Sequence, residues 1–291
     1  MDIVVSYHSR GAACGGSSPK VNHVTVSPAA HFRGVAMAAQ THLFLCLKDN
    51  FGVLLHDPAS GATAAIDAPD AAPVEAALAH TGWQLSDILV THHHGDHTAG
   101  IPRLKQRYRC RVVAPHAEAS KIPLVDESVR EGATVRVGQL SARVIETPGH
   151  TAGHVSYWFQ ADALLFAGDT LFSIGCGRVI EGTPGMMWTS LCKLRELPPN
   201  TRIFCGHEYT LANIKFAQTI EPDNRALADR AAEAARQIAA GKPTIPTTME
   251  QERAANPFLR ADVPAVAASV GLSGKPAAQV FAEVRARKNN F

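Results

Sequence analysis

The chain has 291 residues, 46% of them hydrophobic and 19% charged, a balance that suits a soluble globular protein with a large core. Its net charge of +2 gives no general attraction to nucleic acid or to a membrane surface, and no apolar run is long enough to span a bilayer. The six cysteines are scattered with no C-x-x-C pair, which points to reduced thiols in a cytoplasmic protein and away from a disulfide framework.

Residues 1–36 are rich in Gly, Ser, Pro and His and lack hydrophobic periodicity. Their apolar runs are too short for a secretory signal, and Gly11, Gly15, Gly16, Pro19 and Pro28 would break the amphipathic helix of a transit peptide. A disordered extension is expected, or an upstream start with Met37 as the functional one. From Thr41 the texture changes to short apolar runs separated by turns. Strands are predicted at 51–56 and 62–67, then a helix over 74–81 opened by Pro73 and closed by Gly82. A strand at 87–91, a helix reaching about Tyr108 and strands at 111–114, 142–147, 155–159 and 164–167 follow. Thr183 is placed to cap a helix from Pro184 to about Glu196, ahead of a last strand at 202–205. Beyond His207 the strands stop, and helices are expected at 224–240, 249–255, 263–270 and 276–287. The pattern reads as a β-rich α/β region, 37–207, followed by a small helical domain, 208–291.

The chemistry-bearing residues fall at strand ends. His92, His94, Asp96 and His97 follow Ile88-Leu89-Val90, and His150 follows Val144-Ile145-Glu146-Thr147-Pro148-Gly149. Asp169 follows Leu164-Leu165-Phe166-Ala167-Gly168, and His207 follows Ile203-Phe204-Cys205-Gly206. Three of these later positions have glycine immediately before them, so the backbone can turn sharply and bring the side chains to one sheet edge. Five imidazoles and two carboxylates suit two divalent metal ions sharing a bridge; without thiolate they suit zinc, or iron or manganese, more than a closed structural zinc site. His93 should point away from its neighbours in an extended segment, and His154 reads as a packed residue near the site.

The pattern His92-x-His94-x-Asp96-His97, with His150, Asp169 and His207 downstream, resembles the signature of the metallo-β-lactamase superfamily. The resemblance implies an α/β fold, an αββα sandwich, with the metals at the sheets' edges. It implies His92, His94 and His150 on the first metal, Asp96, His97 and His207 on the second, and Asp169 bridging, with a metal-bridging hydroxide as the attacking group.

Further motifs narrow the family. Gly175-Cys176-Gly177-Arg178-Val179-Ile180-Glu181-Gly182-Thr183, Cys205-Gly206-His207-Glu208-Tyr209-Thr210, Asn213, Asn256-Pro257-Phe258-Leu259-Arg260 and Val284-Arg285-Ala286-Arg287-Lys288 together resemble glyoxalase II, the hydroxyacylglutathione hydrolases. That resemblance implies hydrolysis of S-D-lactoylglutathione to D-lactate and glutathione, the second step of methylglyoxal detoxification. Arg285 and Lys288 lie three apart on one helix face and suit a glycine carboxylate. With Tyr209, Arg178 and, more weakly, Asn213, they are the implied glutathione-binding residues. Ile180 and Gly95 depart from the family pattern, where an aromatic and a bulkier residue are common. Competing expectations are a mono-iron persulfide dioxygenase of the same fold and a catalytically silent metal-binding scaffold. A monomer acting on a small molecule is expected.

Overall fold

Side chains alternate across a strand, and in this fold most strands are buried on both sides, so their alternate residues feed different cores. The computed structural model describes residues 38–291; segment 1–37, with the expectations placed on it, lies outside the described residues. The first sheet comprises β1 (Gln40–Cys46), β2 (Asn50–His56), β3 (Ala62–Ile66), β4 (Gln84–Leu89), β5 (Arg111–Pro115) and β6 (Glu127–Val129), in that spatial order. The chain continues through β7 (Thr134–Val137), β8 (Leu140–Glu146), β9 (Val155–Phe159) and β10 (Leu164–Gly168). A small hairpin, β11 (Leu171–Phe172) and β12 (Gly175–Cys176), precedes β13 (Arg202–Cys205) and β14 (Thr247–Thr248). The second sheet has the order β14-β13-β10-β9-β8-β7.

On β2, Val53 and Leu55 enter the core between the sheets while Leu54 packs on the outer helices. On β10, Leu164 and Phe166 enter that same middle core while Leu165 and Ala167 face outward. The outer layers are α1 (Ala71–Thr81), a single turn α2 (Gly95–Thr98) and α3 (Ile101–Tyr108) on one side. On the other lie α4 (Pro184–Arg195), α5 (Thr210–Ile220), α6 (Arg225–Ala239), α7 (Met249–Ala255), α8 (Pro264–Ser269) and α9 (Ala277–Asn289). Val280, Phe281 and Val284 of α9 join Leu191 and Leu194 of α4 and Phe216 of α5 in one core against the second sheet. This is the αββα sandwich expected of the metallo-β-lactamase fold. No helix among the described residues is long and apolar enough to cross a membrane.

Several boundaries differ from the sequence expectation for identifiable reasons. α1 begins at Ala71, ahead of Pro73, because the Asp70 side chain accepts from Ala72 N at 3.2 Å and caps it there. Gly82 closes it in the left-handed region, at φ 74°. The helix expected up to Tyr108 is two helices, since Gly100 N donates to Ala68 O at 2.9 Å and lies so close to Asp70 and Ala71 that a Cβ would clash. Strands do not stop at His207: β14 adds an antiparallel pair to β13. Helix α5 was not expected and occupies the stretch directly after the last histidine.

Candidate metal centre

The seven expected donors converge. His92, His94, Asp96 and His97 leave the C-terminal end of β4 and enter α2; His150 sits between β8 and β9, Asp169 follows β10 and His207 follows β13. The first sheet therefore supplies four donors and the second three. The sheets are joined here by an isolated bridge between Asn50 and His207 and by Phe51 N donating to Gly206 O at 2.8 Å.

His150 Nε2 lies 3.0 Å from His94 Nδ1 and 3.3 Å from Asp169 Oδ2. His97 Nε2 lies 3.4 Å from His207 Nε2 and 3.5 Å from Asp169 Oδ1. His207 Nε2 is 3.4 Å from both Asp96 Oδ2 and Asp169 Oδ2. Nitrogen and oxygen donors about 2.0–2.1 Å from one tetrahedral ion stand about 3.3 Å apart, so these separations fit donors that share an ion. His92, His94 and His150 form one group of donors within reach of a single ion, and Asp96, His97 and His207 another; His92, His97 and Asp169 form a third that overlaps both. His92 Nε2 and Asp169 Oδ1 are buried and have no hydrogen-bond partner among the described residues. An orphaned buried polar atom is costly unless something binds it, and a cation fits both.

The imidazole electrostatics divide. Burial works against charging His97 and His207, yet the Asp169 carboxylate beside them raises both above the usual histidine range, so a cation there would replace a proton. Burial, then the charge of His97, pushes His92 well below the usual histidine range, leaving it neutral as a metal donor must be. Burial opposes ionisation of Asp169, yet the His97 and His207 imidazoles hold its carboxyl well below the usual range.

Sequence reasoning missed the groups that aim the donors. Asp67 Oδ2 accepts from His97 Nδ1 at 2.9 Å and from Thr91 Oγ1 at 2.8 Å, while Oδ1 takes Thr91 N at 2.7 Å. Asp49 Oδ1 stands 2.9 Å from His207 Nδ1, and the Arg178 carbonyl accepts from His150 Nδ1 at 2.8 Å. Asn50 Nδ2 donates to Asp96 Oδ2 at 3.2 Å. In each case the outer contact fixes which imidazole nitrogen, or which carboxylate face, points inward. Ala64-Ala65-Ile66-Asp67, an apolar strand ending in a carboxylate, carried the same signal that singled out Asp169. His154 is fully buried; its Nε2 accepts from Asp169 N at 3.0 Å, so it positions Asp169 and stays outside the donor set. His93 likewise turns away, toward Glu118 and Glu181.

The glycine before Asp169, Gly168, has φ 47°, a left-handed conformation, and a Cβ there would strike Thr91 and His154. A Cβ on Gly206 would strike the Asp169 carboxylate and the His97 ring. Both glycines are required by close approach at the centre. Cys176 is buried and burial pushes its thiol up to about 11, so it packs and does not attack.

Of the expected substrate-binding residues, Tyr209 and the Arg178 loop touch donors, and the others are held by neighbouring backbone. Tyr209 stacks on His207, ring centroids 4.8 Å apart and 3° from parallel, and is partly exposed. Arg178 has an exposed side chain on the loop whose carbonyl orients His150. Arg285 is buried; it donates to the Cys176 carbonyl at 2.9 Å and lies over the Phe258 ring. Lys288 donates to Ala212 O at 2.9 Å beneath Phe216 and Phe291. Asn213 is buried and ties α5 to the hairpin by donating to Ser173 O at 3.1 Å. Ile180 is 56% exposed on the same loop as Arg178. A Cβ on Gly95 would touch nothing within 4 Å, so its backbone position tolerates the bulkier residue usual there.

Residues 47–207 match the family model of the metallo-beta-lactamase superfamily, and residues 208–291 that of the hydroxyacylglutathione hydrolase C-terminus. A hydroxyacylglutathione hydrolase of Rhodopseudomonas palustris strain BisB5 is 64% identical over 87% of this chain and 100% of its own length. One from Nitrobacter hamburgensis is 60% identical over 87% of this chain and 99% of its own. The crystal structure of ETHE1 from Myxococcus xanthus shares the fold, with TM-score 0.62 and 24% identity, covering 86% of this chain and 91% of that one. Donor chemistry and family together make the cluster a divalent-metal site. The chain belongs to the hydroxyacylglutathione hydrolase (glyoxalase II) family of the metallo-β-lactamase superfamily.

Proposed function

We infer that the chain is a thioester hydrolase that cleaves S-D-lactoylglutathione and related 2-hydroxyacylglutathiones to the hydroxy acid and glutathione. The observation that carries the reading is the pair of donor groups, His92/His94/His150 and Asp96/His97/His207, with Asp169 within reach of both. We assign these groups to two ions bridged by Asp169, zinc first and iron or manganese as alternatives. Such ions, when bound, polarise an acyl carbonyl and lower the pKa of a water toward neutrality.

The chain's own residues do the rest. Asp67, Asp49 and the Arg178 carbonyl face the outer Nδ1 atoms of His97, His207 and His150, which turns the Nε2 atoms inward toward the ions. Asp96, held by Asn50 and 43% exposed at its side chain, is the carboxylate on the open side and is placed to take the proton of an attacking water. Oxygen bonds to the carbonyl carbon, the C–S bond breaks, and its electron pair leaves on the glutathione sulfur. A thiol of ordinary pKa near 8.5 leaves as thiolate, so no strong general acid is needed. Arg178, Tyr209, Arg285 and Lys288 are assigned to the glutathione portion, with Asn213 holding the hairpin beneath it. Regions 37–207 and 208–291 are taken as catalytic and substrate-binding respectively. We propose a cytoplasmic monomer, the compartment supported by the free thiols of Cys46, Cys110, Cys176, Cys192 and Cys205.

The test follows loss of the thioester chromophore of S-D-lactoylglutathione. Chelated protein is expected to be inactive and zinc to restore turnover in proportion to ions bound, reaching its plateau near two per chain. No turnover at full loading overturns the substrate; a plateau at one ion overturns the bridged pair. Size-exclusion chromatography with light scattering tests the monomer.

A further inference from the structure

His93 lies in the middle of the donor motif and takes no part in the donor set. Its Nδ1 faces Glu118 Oε2 at 2.9 Å and its Nε2 faces Glu181 Oε1 at 3.3 Å. Glu118 is almost completely buried, and its carboxylate is fully used: Oε2 also accepts from His93 N at 2.8 Å, and Oε1 from Gly153 N at 2.8 Å. That single side chain thus ties the loop of His92 and His94 to the loop of His150.

Glu181 makes the matching connection from the other side. It sits three residues after Arg178, its Oε2 accepts from Ala152 N at 3.0 Å, and Lys121 Nζ lies 3.5 Å from its Oε1. The backbone of the same loop grips the donor loop, with Ile180 N and Glu181 N both donating to His150 O at 3.3 and 3.2 Å. One imidazole therefore stands between a carboxylate anchored under the donors and a carboxylate carried by the loop assigned to substrate.

We propose that His93, bracketed by Glu118 and Glu181, is a positioning latch that couples the Arg178–Glu181 loop to the metal donors, so that ligand binding on the loop and metal retention strengthen each other. The inference rests on the reading that this loop meets the glutathione portion. Coupling between two binding events is reciprocal: if metal orders the loop for ligand, ligand must slow the loss of metal by the same linkage.

The experiment uses the full metal-loaded chain. Metal release to an excess of chelator is timed with and without S-methylglutathione, a thioether that is not hydrolysed. In wild type the ligand should slow release. In His93→Leu and Glu181→Ala, ligand-free release should be about three- to tenfold faster, and the protection by ligand should be lost. KM for S-D-lactoylglutathione should rise in both, and the double variant should add little to either single one. Glu181→Gln, which still accepts from Ala152 N, should recover most of the difference. Thermal melts of the chelated proteins keep a folding defect separate from the latch. Independent, additive effects of the two substitutions, or ligand protection undiminished in both, would overturn the coupling. Absence of wild-type turnover with protection intact would overturn the substrate reading alone.

Discussion

Asp67→Asn isolates the contribution of one outer contact to the metal centre. Asp67 adopts φ 58°, in the left-handed region, where asparagine is among the few side chains tolerated. The backbone should therefore stay in place, and asparagine Oδ1 can keep the bond from Thr91 N. What changes is the face toward His97 Nδ1, now 2.9 Å from a carboxylate oxygen and in the variant opposed by an amide N–H. Two N–H groups cannot share that contact, so the imidazole proton moves to Nε2, the atom 3.4 Å from His207 Nε2 that must stay free for metal. Loss of such a partner typically lowers metal affinity about 10- to 100-fold, and leaving a buried donor unmatched costs about 1–3 kcal/mol of stability. Competition against a chromophoric chelator measures the first and urea unfolding of the chelated protein the second. The weaker-binding half of the site should empty first, and turnover should fall with it. An affinity within about twofold of wild type, with unchanged chelated stability, would show that Asp67 does not set the His97 tautomer.

Other residues yield separate expectations. Arg285→Ala should raise KM more than it lowers kcat, and should also cost about 1–3 kcal/mol in urea, because the Cys176 carbonyl at 2.9 Å loses a buried donor; a KM change without any stability change would contradict the buried contact. Phe291→Ala removes one of two rings beside Lys288 Nζ, at 5.2 Å, and should raise KM about two- to fivefold at unchanged kcat, the size of an exposed cation–π contact. Glu252 is fully buried, and burial raises its carboxyl above the ordinary range even though Ile174 N and Asn256 Nδ2 donate to it. A carboxyl raised in the native state binds more protons there than unfolded, so its contribution to stability falls as pH climbs from the unfolded value through the native one. Glu252→Gln should therefore gain stability relative to wild type as pH climbs above the ordinary carboxylate range, read as a urea midpoint, variant minus wild type, that rises with pH; a difference that falls with pH would refute this.

The donors were legible because each repeats one local pattern, an apolar run, often a glycine, then a ligand-type residue. Their orienting partners were not, because those contacts are long-range. His97 meets Asp67 across 30 residues and His207 meets Asp49 across 158. The terminal helix shows the same divide. Spacing placed Arg285 and Lys288 on one face, but only the fold reveals that Arg285 is buried against a carbonyl 109 residues away. Helix α5 escaped for a related reason: Tyr209 provides no side-chain cap, and its buried face of Asn213, Ile214, Phe216, Ala217 and Ile220 is defined by the hairpin and helices it meets.

Four donors belong to one sheet and three to the other, and His97 and His207 are 110 residues apart in sequence. The ion proposed to be held by both would be a removable cross-link closing a loop of that length. A permanent link closing about 100 residues restricts the unfolded chain by about 4–5 kcal/mol in the chain-entropy account. Loading the centre should therefore slow amide exchange along the edges of both sheets that carry the donors, and stripping it should speed exchange there first, while the core shared by the two sheets keeps them packed.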